Sequence, residues 1–289
     1  MSRITKKIGA YFSLVTFAHT IFAMPFALIG FFLATNYHDY TFHWIIFLQV
    51  ILCMVLARNA AMGFNRYIDR RIDAANYRTT QREIPAGVIS PRSALIFTIA
   101  NAIAFVLTTL TINKLVFFLS PVALLVILGY SYTKRFTALC HLILGLGLSQ
   151  APIGAYMAVS GESHWLPMIF SAVVLTWVAG FDIIYALQDR DFDLSNKLRS
   201  IPVWAGKRMA LSLSTVLHFI TAFMVIYAGI RAGFGWIYYM GSVMFIGLLI
   251  YQHSIVKPDD LSRVNRAFGT SNGIASIIFA SFVLLELFL

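Results

Sequence analysis

Two short stretches, 65–73 and 182–193, hold six of the twelve acidic residues in a chain of 289. In the first, Asn65, Asp69 and Asp73 follow one another at intervals of four, which on a helix sets all three on one face. In the second, Asp189 and Asp193 repeat that interval, and Asp182 lies seven earlier on the same face. Carboxylates stacked in this way repel one another by about 0.2–0.5 kcal/mol per exposed pair, so the pattern calls for a cation. A small set of hard oxygen donors suits Mg²⁺, which takes one or two carboxylates and leaves its other positions to water and substrate phosphates. Ordinary ion pairs with the adjacent Arg70, Arg71 and Arg190 are the competing explanation. The matched spacing of two copies argues against it, because loop decoration has no reason to repeat.

Basic and phenolic residues stand beside both stretches. Arg78 and Arg82 follow the first at an interval of four, Lys197 and Arg199 follow the second, and Tyr130 and Lys134 close an apolar run between them. Arginine forks and lysine point charges suit phosphate oxygens, so next to two cation clusters this set is a candidate diphosphate clamp. Arg58 differs from the rest: it lies about two helical turns inward from Asn65, within an apolar run that offers it no acidic neighbour. A guanidinium inside a membrane span is costly and functional by default, which makes Arg58 a candidate site for a substrate carboxylate; snorkelling or a partner on another helix is the competing explanation.

The elements that must position these residues are membrane helices. Hydrophobic residues make up 59% of the chain and charged residues 12%, against about 25% charged in soluble domains, and mean hydropathy is +0.78. Apolar runs long enough for a ~30 Å hydrocarbon core fall at 10–34, 44–64, 93–113, 115–133, 138–159, 165–187, 209–230, 235–255 and 267–289. The expected fold is an all-α membrane protein, nine transmembrane helices in one bundle, with cytoplasmic cap loops after the second and sixth helices. With the N-terminus inside, nineteen of the twenty-two lysines and arginines face the cytoplasm, as short basic loops do. Lys114 and Arg231 fall on the opposite side. The net charge of +10 follows from this topology and does not point to nucleic acid, since no soluble domain is present to use it. The basic and apolar start imitates a secretory signal, but its apolar run is too long and eight others follow, so no cleavage is expected. Cys53 and Cys140 sit in apolar runs and indicate neither a disulfide nor a metal site. The seven histidines are isolated in the sequence and read as packed or interfacial side chains.

The chain reads as one domain, 1–289, built of two pseudo-repeated halves, about 1–135 and 136–289. Four crossings separate the acidic stretches, so both reach the same membrane face and can share one site. Each is followed by a polar loop, 74–91 and 194–207, whose prolines and glycines mark structured caps.

At these residues the chain resembles the UbiA superfamily of membrane aromatic prenyltransferases, and the resemblance runs over nearly its whole length. Asn65, Asp69 and Asp73 fall on the family's first motif, with Arg66 where many members carry a further Asp. Tyr130 and Lys134 match a Tyr-x-x-x-Lys element, and Asp182, Tyr185, Asp189 and Asp193 match the second motif. Arg58 matches a position associated with the acceptor's carboxylate. The 65–87 stretch looks most like bacterial 4-hydroxybenzoate polyprenyltransferases, and some similar proteins act on a naphthoate in menaquinone synthesis. The resemblance implies Mg²⁺-dependent transfer of a polyprenyl group from its diphosphate to an aromatic acid at a bacterial inner membrane, with the mouth of the site cytoplasmic. Mg²⁺ would be held by Asn65, Asp69, Asp73, Asp189 and Asp193. The diphosphate would lie on Arg78, Arg82, Tyr130, Lys134, Lys197 and Arg199, and the acceptor on Arg58 and Tyr185. Asp182 or Asp189 would take the ring proton. The implied partners are the two substrates and the lipid bilayer, with no obligatory protein partner. A transporter is the alternative of another class, but its site is expected near the midplane, whereas both acidic clusters lie at one face; a scaffold predicts neither cation nor pyrophosphate.

Overall fold

The computed structural model describes residues 23–289 together with Gly9, Tyr11, Ser13 and Leu14. Arg3, Lys6, Lys7 and most of the first expected span lie outside the described residues. The described chain is helical throughout: α1 Met24–Phe32, α2 Trp44–Ala75, α3 Pro91–Leu110, α4 Lys114–Thr133, α5 Cys140–Ser160 and α6 Trp165–Ala186. There follow α7 Arg190–Ser195, α8 Ile201–Ala232, α9 Trp236–Ile255 and α10 Asn272–Phe288. Among the described residues seven helices are long and apolar enough to cross a membrane, α10 counted with the π turn before it. The protein is an integral membrane protein.

Two expected spans differ for physical reasons. The described part of the first is a shorter apolar helix that ends in the π turn Leu33–Tyr37. α9 has the length, but Tyr238, Tyr239, Gln252 and His253 lower its apolar character. Two of those side chains donate inside the protein: Tyr238 to the Val225 carbonyl at 2.7 Å, and Gln252 Nε2 to Asn272 Oδ1 at 2.6 Å.

α6 is the centre of the bundle. Val173, Val174, Trp177, Val178 and Phe181 have no or almost no exposure, and they pack against Phe26 of α1, Val225 of α8, Phe245 of α9 and Phe279 of α10. α3, in contrast, shows Ile96, Ile99, Ile103, Leu107 and Leu110 outward, a stripe at helical spacing that only lipid can cover. Lipid tails are as apolar as these side chains, so helix association rests on close packing. Gly145 shows the closeness: a Cβ there would overlap the Leu175 carbonyl oxygen, so α5 meets α6 backbone to backbone.

Two features place the site. With 32 residues, α2 is about 48 Å long at ~1.5 Å per residue, longer than the ~30 Å core requires, and its last turns carry Asp69 and Asp73. Segment 76–90 then folds back as a chain of turns and ends at Ser90, whose hydroxyl accepts from Ser93 N–H at 3.1 Å to start α3. The expected match in the second half is incomplete. Instead of a long loop at 194–207, the chain re-enters a helix at Ile201, and the break falls at Gly206, with φ 76° and ψ 167°. That region of backbone space is open essentially to glycine alone.

Candidate active site

The sequence expected Asp182, Asp189 and Asp193 on one face of a continuous helix. The structure corrects this. A 3₁₀ turn, Leu187–Asp189, separates α6 from α7, and because it advances roughly 120° per residue instead of 100° it turns Asp189 and Asp193 away from the phase of Asp182. The three carboxylates consequently meet different partners.

Asp69 and Asp73 are each only 3% exposed, and both are neutralised from other elements. Asp69 receives Asn65 Nδ2 at 3.2 Å, Arg135 Nη2 at 2.9 Å and Lys134 Nζ at 3.5 Å. Asp73 Oδ1 receives Arg82 Nη1 at 2.7 Å, while Asp73 Oδ2 is buried and has no hydrogen-bond partner. Arg78 ties the first half to the second: its Nε donates to Asp189 Oδ1 at 3.0 Å, its Nη2 to Oδ2 at 2.5 Å and its Nη1 to the Tyr185 hydroxyl at 2.8 Å. Burial works against the Arg78 charge, but the hydrogen bonds and charge of Asp189 prevail and raise its pKa above the ordinary arginine value. Asp193 is buried within electrostatic reach of Lys134, Asp189, His141 and Arg78. The two acidic stretches therefore share one site at one end of the bundle. Local ion pairing accounts only for the exposed Asp191, which pairs with Arg190, while Arg70 donates to the Tyr67 carbonyl.

Behind this cluster, α2, α3, α4 and α5 enclose a cavity of about 400 Å³. Its wall is apolar, including Val50, Met54, Phe105 and Leu148, and its polar groups include Arg58 and Tyr130. Leu119 and Val122 belong to the same wall and are exposed on the lipid-facing surface of α4, so the cavity reaches the bilayer side. Arg58 Nε is buried and makes no hydrogen bond. A buried polar group left in this condition costs about 1–3 kcal/mol, more when charged.

The structure sorts the expected residues. Asn65, Asp69, Asp73, Asp189, Asp193, Arg78, Arg82 and Lys134 gather at the mouth. Tyr130 lines the cavity with Arg58 and also lies within electrostatic reach of Asp69 and Arg82 at the mouth, whereas Tyr185 is held by Arg78 and stacks on Phe268 at 4.1 Å. Lys197 is exposed, and Arg199 donates Nη1 to the Phe136 carbonyl at 2.9 Å; among the described residues neither makes an ion pair with a carboxylate. Asp182 stands apart, with Oδ2 bonded to His141 Nδ1 at 2.7 Å. Sequence reading missed Asn76 and His141. Asn76 Nδ2 donates to Asp189 at 3.1 Å while its Oδ1 accepts from Arg78 N–H at 3.0 Å, and its Asn-x-Arg spacing after a helix end was the available signal. The histidines are isolated in sequence but not in space: besides His141, His218 Nδ1 lies 2.8 Å from His253 Nε2.

Among the described residues no three His, Cys, Asp or Glu side chains already converge as a metal site. The oxygen-only donor set and the orphaned Asp73 Oδ2 nevertheless fit a hard divalent cation.

Comparison with known proteins gives a consistent result. Residues 23–283 match the model of the UbiA prenyltransferase family. The 4-hydroxybenzoate octaprenyltransferase of Nitrosomonas europaea is 33% identical over 238 residues, 82% of this chain and 81% of that protein. The apo structure of a UbiA homolog from Aeropyrum pernix K1 superposes with a TM-score of 0.84 at 31% identity, over 93% of this chain and 98% of that one. A UbiA homolog from Archaeoglobus fulgidus bound to GPP and Mg²⁺ shares the fold, with a TM-score of 0.78 at 20% identity over 97% of this chain and 100% of that one.

Proposed function

The chain belongs to the UbiA prenyltransferase family and is a prenyltransferase; from that premise we propose that it moves a polyprenyl group from its diphosphate to the ring carbon ortho to the hydroxyl of 4-hydroxybenzoate. The observation that carries the choice of an aromatic acid is Arg58: a guanidinium with a buried, unbonded Nε on the wall of an otherwise apolar cavity asks for a carboxylate. The name of the Nitrosomonas relative supports the benzoate. A dihydroxynaphthoate carries the same carboxylate and is the second reading.

In this reading Arg78, Arg82 and Lys134 hold the diphosphate, each exchanging part of its present carboxylate contact for phosphate oxygens. Mg²⁺, held by Asp69, Asp73, Asp189 and Asp193 with Asn65 as a neutral oxygen donor, would make the diphosphate a better leaving group. The three cations stabilise the charge that grows on the leaving oxygen as the allylic C–O bond breaks. Arg58 and Tyr130 set the acceptor so that its ortho carbon faces the allylic carbon, and the apolar wall excludes water from the cation. Of the two candidate bases Asp182 is favoured, because both oxygens of Asp189 are bonded to Arg78 whereas Asp182 is bonded through Oδ2 alone among the described residues. The prenyl tail runs along the cavity past Leu119 and Val122 into lipid.

The proposal includes nine spans in a single domain of two pseudo-repeated halves, placed in a bacterial cytoplasmic membrane with the N-terminus and the mouth of the site on the cytoplasmic side. The test is prenylation in isolated membranes with Mg²⁺ and a long-chain prenyl diphosphate, with radiolabelled 4-hydroxybenzoate and 1,4-dihydroxy-6-naphthoate offered in parallel. Product from the benzoate supports the first reading, product from the naphthoate alone replaces it by the second, and no product from either rejects both.

A further inference from the structure

His141 opens α5 and is buried, with 2% of its surface exposed. Its ring is held at both nitrogens. Nε2 accepts the backbone N–H of Ile201 at 3.3 Å, and Nδ1 lies 2.7 Å from Asp182 Oδ2. A backbone amide only donates, so Nε2 carries no proton, and the neutral ring bears its hydrogen on Nδ1, directed at the carboxylate. The Ile201 N–H is one of the groups that a helix leaves unpaired at its first turn. The start of α8 thereby fixes the tautomer of His141, and His141 fixes Asp182.

Only Asp182 Oδ2 is used in this contact, and among the described residues Oδ1 makes no hydrogen bond. The carboxylate is 21% exposed while the imidazole is 3% exposed, so the pair is dry on the histidine side and open on the aspartate side. Asp182 also lies within electrostatic reach of Tyr130, which lines the cavity together with Arg58. The sequence gives no hint of this relation, since 41 residues separate the partners.

We propose that His141 is the positioning residue of the proton-accepting carboxylate: it holds Asp182 by Oδ2 so that Oδ1 is presented to the ring. The proposal rests on the reading of Asp182 as the acceptor of the ring proton. After the new C–C bond forms, the ring C–H bond at that carbon breaks, its electron pair restores aromaticity, and the proton bonds to Asp182 Oδ1. His141 keeps its own proton throughout. The neutral Asp182 then releases the proton to water, so that prenyl diphosphate and arene give prenylated arene, pyrophosphate and one proton. A base oriented by a second group that is itself oriented by a third is a recurrent arrangement in catalysis.

The test compares His141→Leu, His141→Asn, His141→Gln and Asp182→Asn, using whole protein in native membranes and acceptor bearing hydrogen or deuterium ortho to the hydroxyl. General bases contribute about 10²–10⁴-fold, and loss of orientation alone should cost His141→Leu about 10- to 100-fold in kcat, with both KM values within about 2-fold of wild type. Proton removal should become rate-limiting, so that a deuterium effect near unity in the wild type rises to about 2 or more. Asparagine places its amide where Nδ1 stands and should restore most of kcat, while glutamine places it near Nε2 and should not. An unchanged kcat and isotope effect in His141→Leu, beside an inactive Asp182→Asn, overturns the role of His141 and spares that of Asp182. Wild-type rate in Asp182→Asn overturns the reading of Asp182 itself. Should the leucine variant not fold, the asparagine and glutamine variants decide, and equal rates in these two overturn the proposal.

Discussion

Replacing Arg58 by methionine separates binding from stability. The substitution keeps length and apolar stem and removes a guanidinium whose Nε is buried without a hydrogen bond. Truncating one partner of a buried, hydrogen-bonded charge pair costs about 2–5 kcal/mol. A central value of about 3 kcal/mol is on the order of 10²-fold in kcat/KM. The loss should fall on the KM of the aromatic acid, leaving the KM of the prenyl diphosphate within about 2-fold, since Arg58 lines the cavity and not the phosphate mouth. Arg58→Lys keeps the charge but not the fork and should lie between. Without substrate the methionine variant should be the more heat-resistant, because it relieves a desolvated polar group that costs about 1–3 kcal/mol. Initial rates against 4-hydroxybenzoate, repeated with phenol, together with thermal aggregation in detergent, read both effects. Phenol has no carboxylate, so variant and wild type should use it equally. An equal loss with both acceptors, or a variant that melts earlier, would refute the assignment of Arg58 to the carboxylate.

Three further outcomes are expected. Chelation with EDTA should abolish transfer and Mg²⁺ should restore it, with no change in the helical circular dichroism signal, because Asp69, Asp73 and Asp189 already have cationic partners in the protein; activity that survives exhaustive chelation would remove the metal from the mechanism. Arg78→Lys should raise the KM of the prenyl diphosphate about 10-fold and leave the acceptor KM unchanged, since a lysine cannot reproduce the fork that grips Asp189 and Tyr185. Gly206→Ala should destabilise by about 1–3 kcal/mol, seen as an earlier thermal aggregation transition; no change would mean that the break before the main run of α8 is not held at φ 76°.

Much of the site was legible because its chemistry is rare in its surroundings. In a chain with 12% charged residues, Asp69, Asp73 and Asp189 stand out, and the parity of crossings between the two stretches placed them on one face. Arg58 was legible for the same reason, as a lone cation in an apolar run. The positions that sequence reading misplaced depend on details that spacing does not carry. The phase of Asp182 relative to Asp189 was lost to a 3₁₀ turn. Tyr185 stands with Arg78 at the mouth because the way its side chain points is set by the rotation of its helix against its neighbours. Arg199 donates Nη1 to the Phe136 carbonyl, a contact of 63 residues in sequence that no local pattern announces.

The amino-acid sequence by itself determined that this protein lives in a membrane, which residue types it brings to its chemistry and that the two acidic stretches come to one end of the bundle, since hydrophobic run length and charge placement act segment by segment. Tertiary structure alone decided which cation neutralises which carboxylate, that Asp182 answers to His141 and the first amide of α8, and that the apolar cavity lies among α2, α3, α4 and α5. Those are properties of distance between helices, and helices that share a lipid environment are ranked not by hydrophobicity but by how closely their side chains fit.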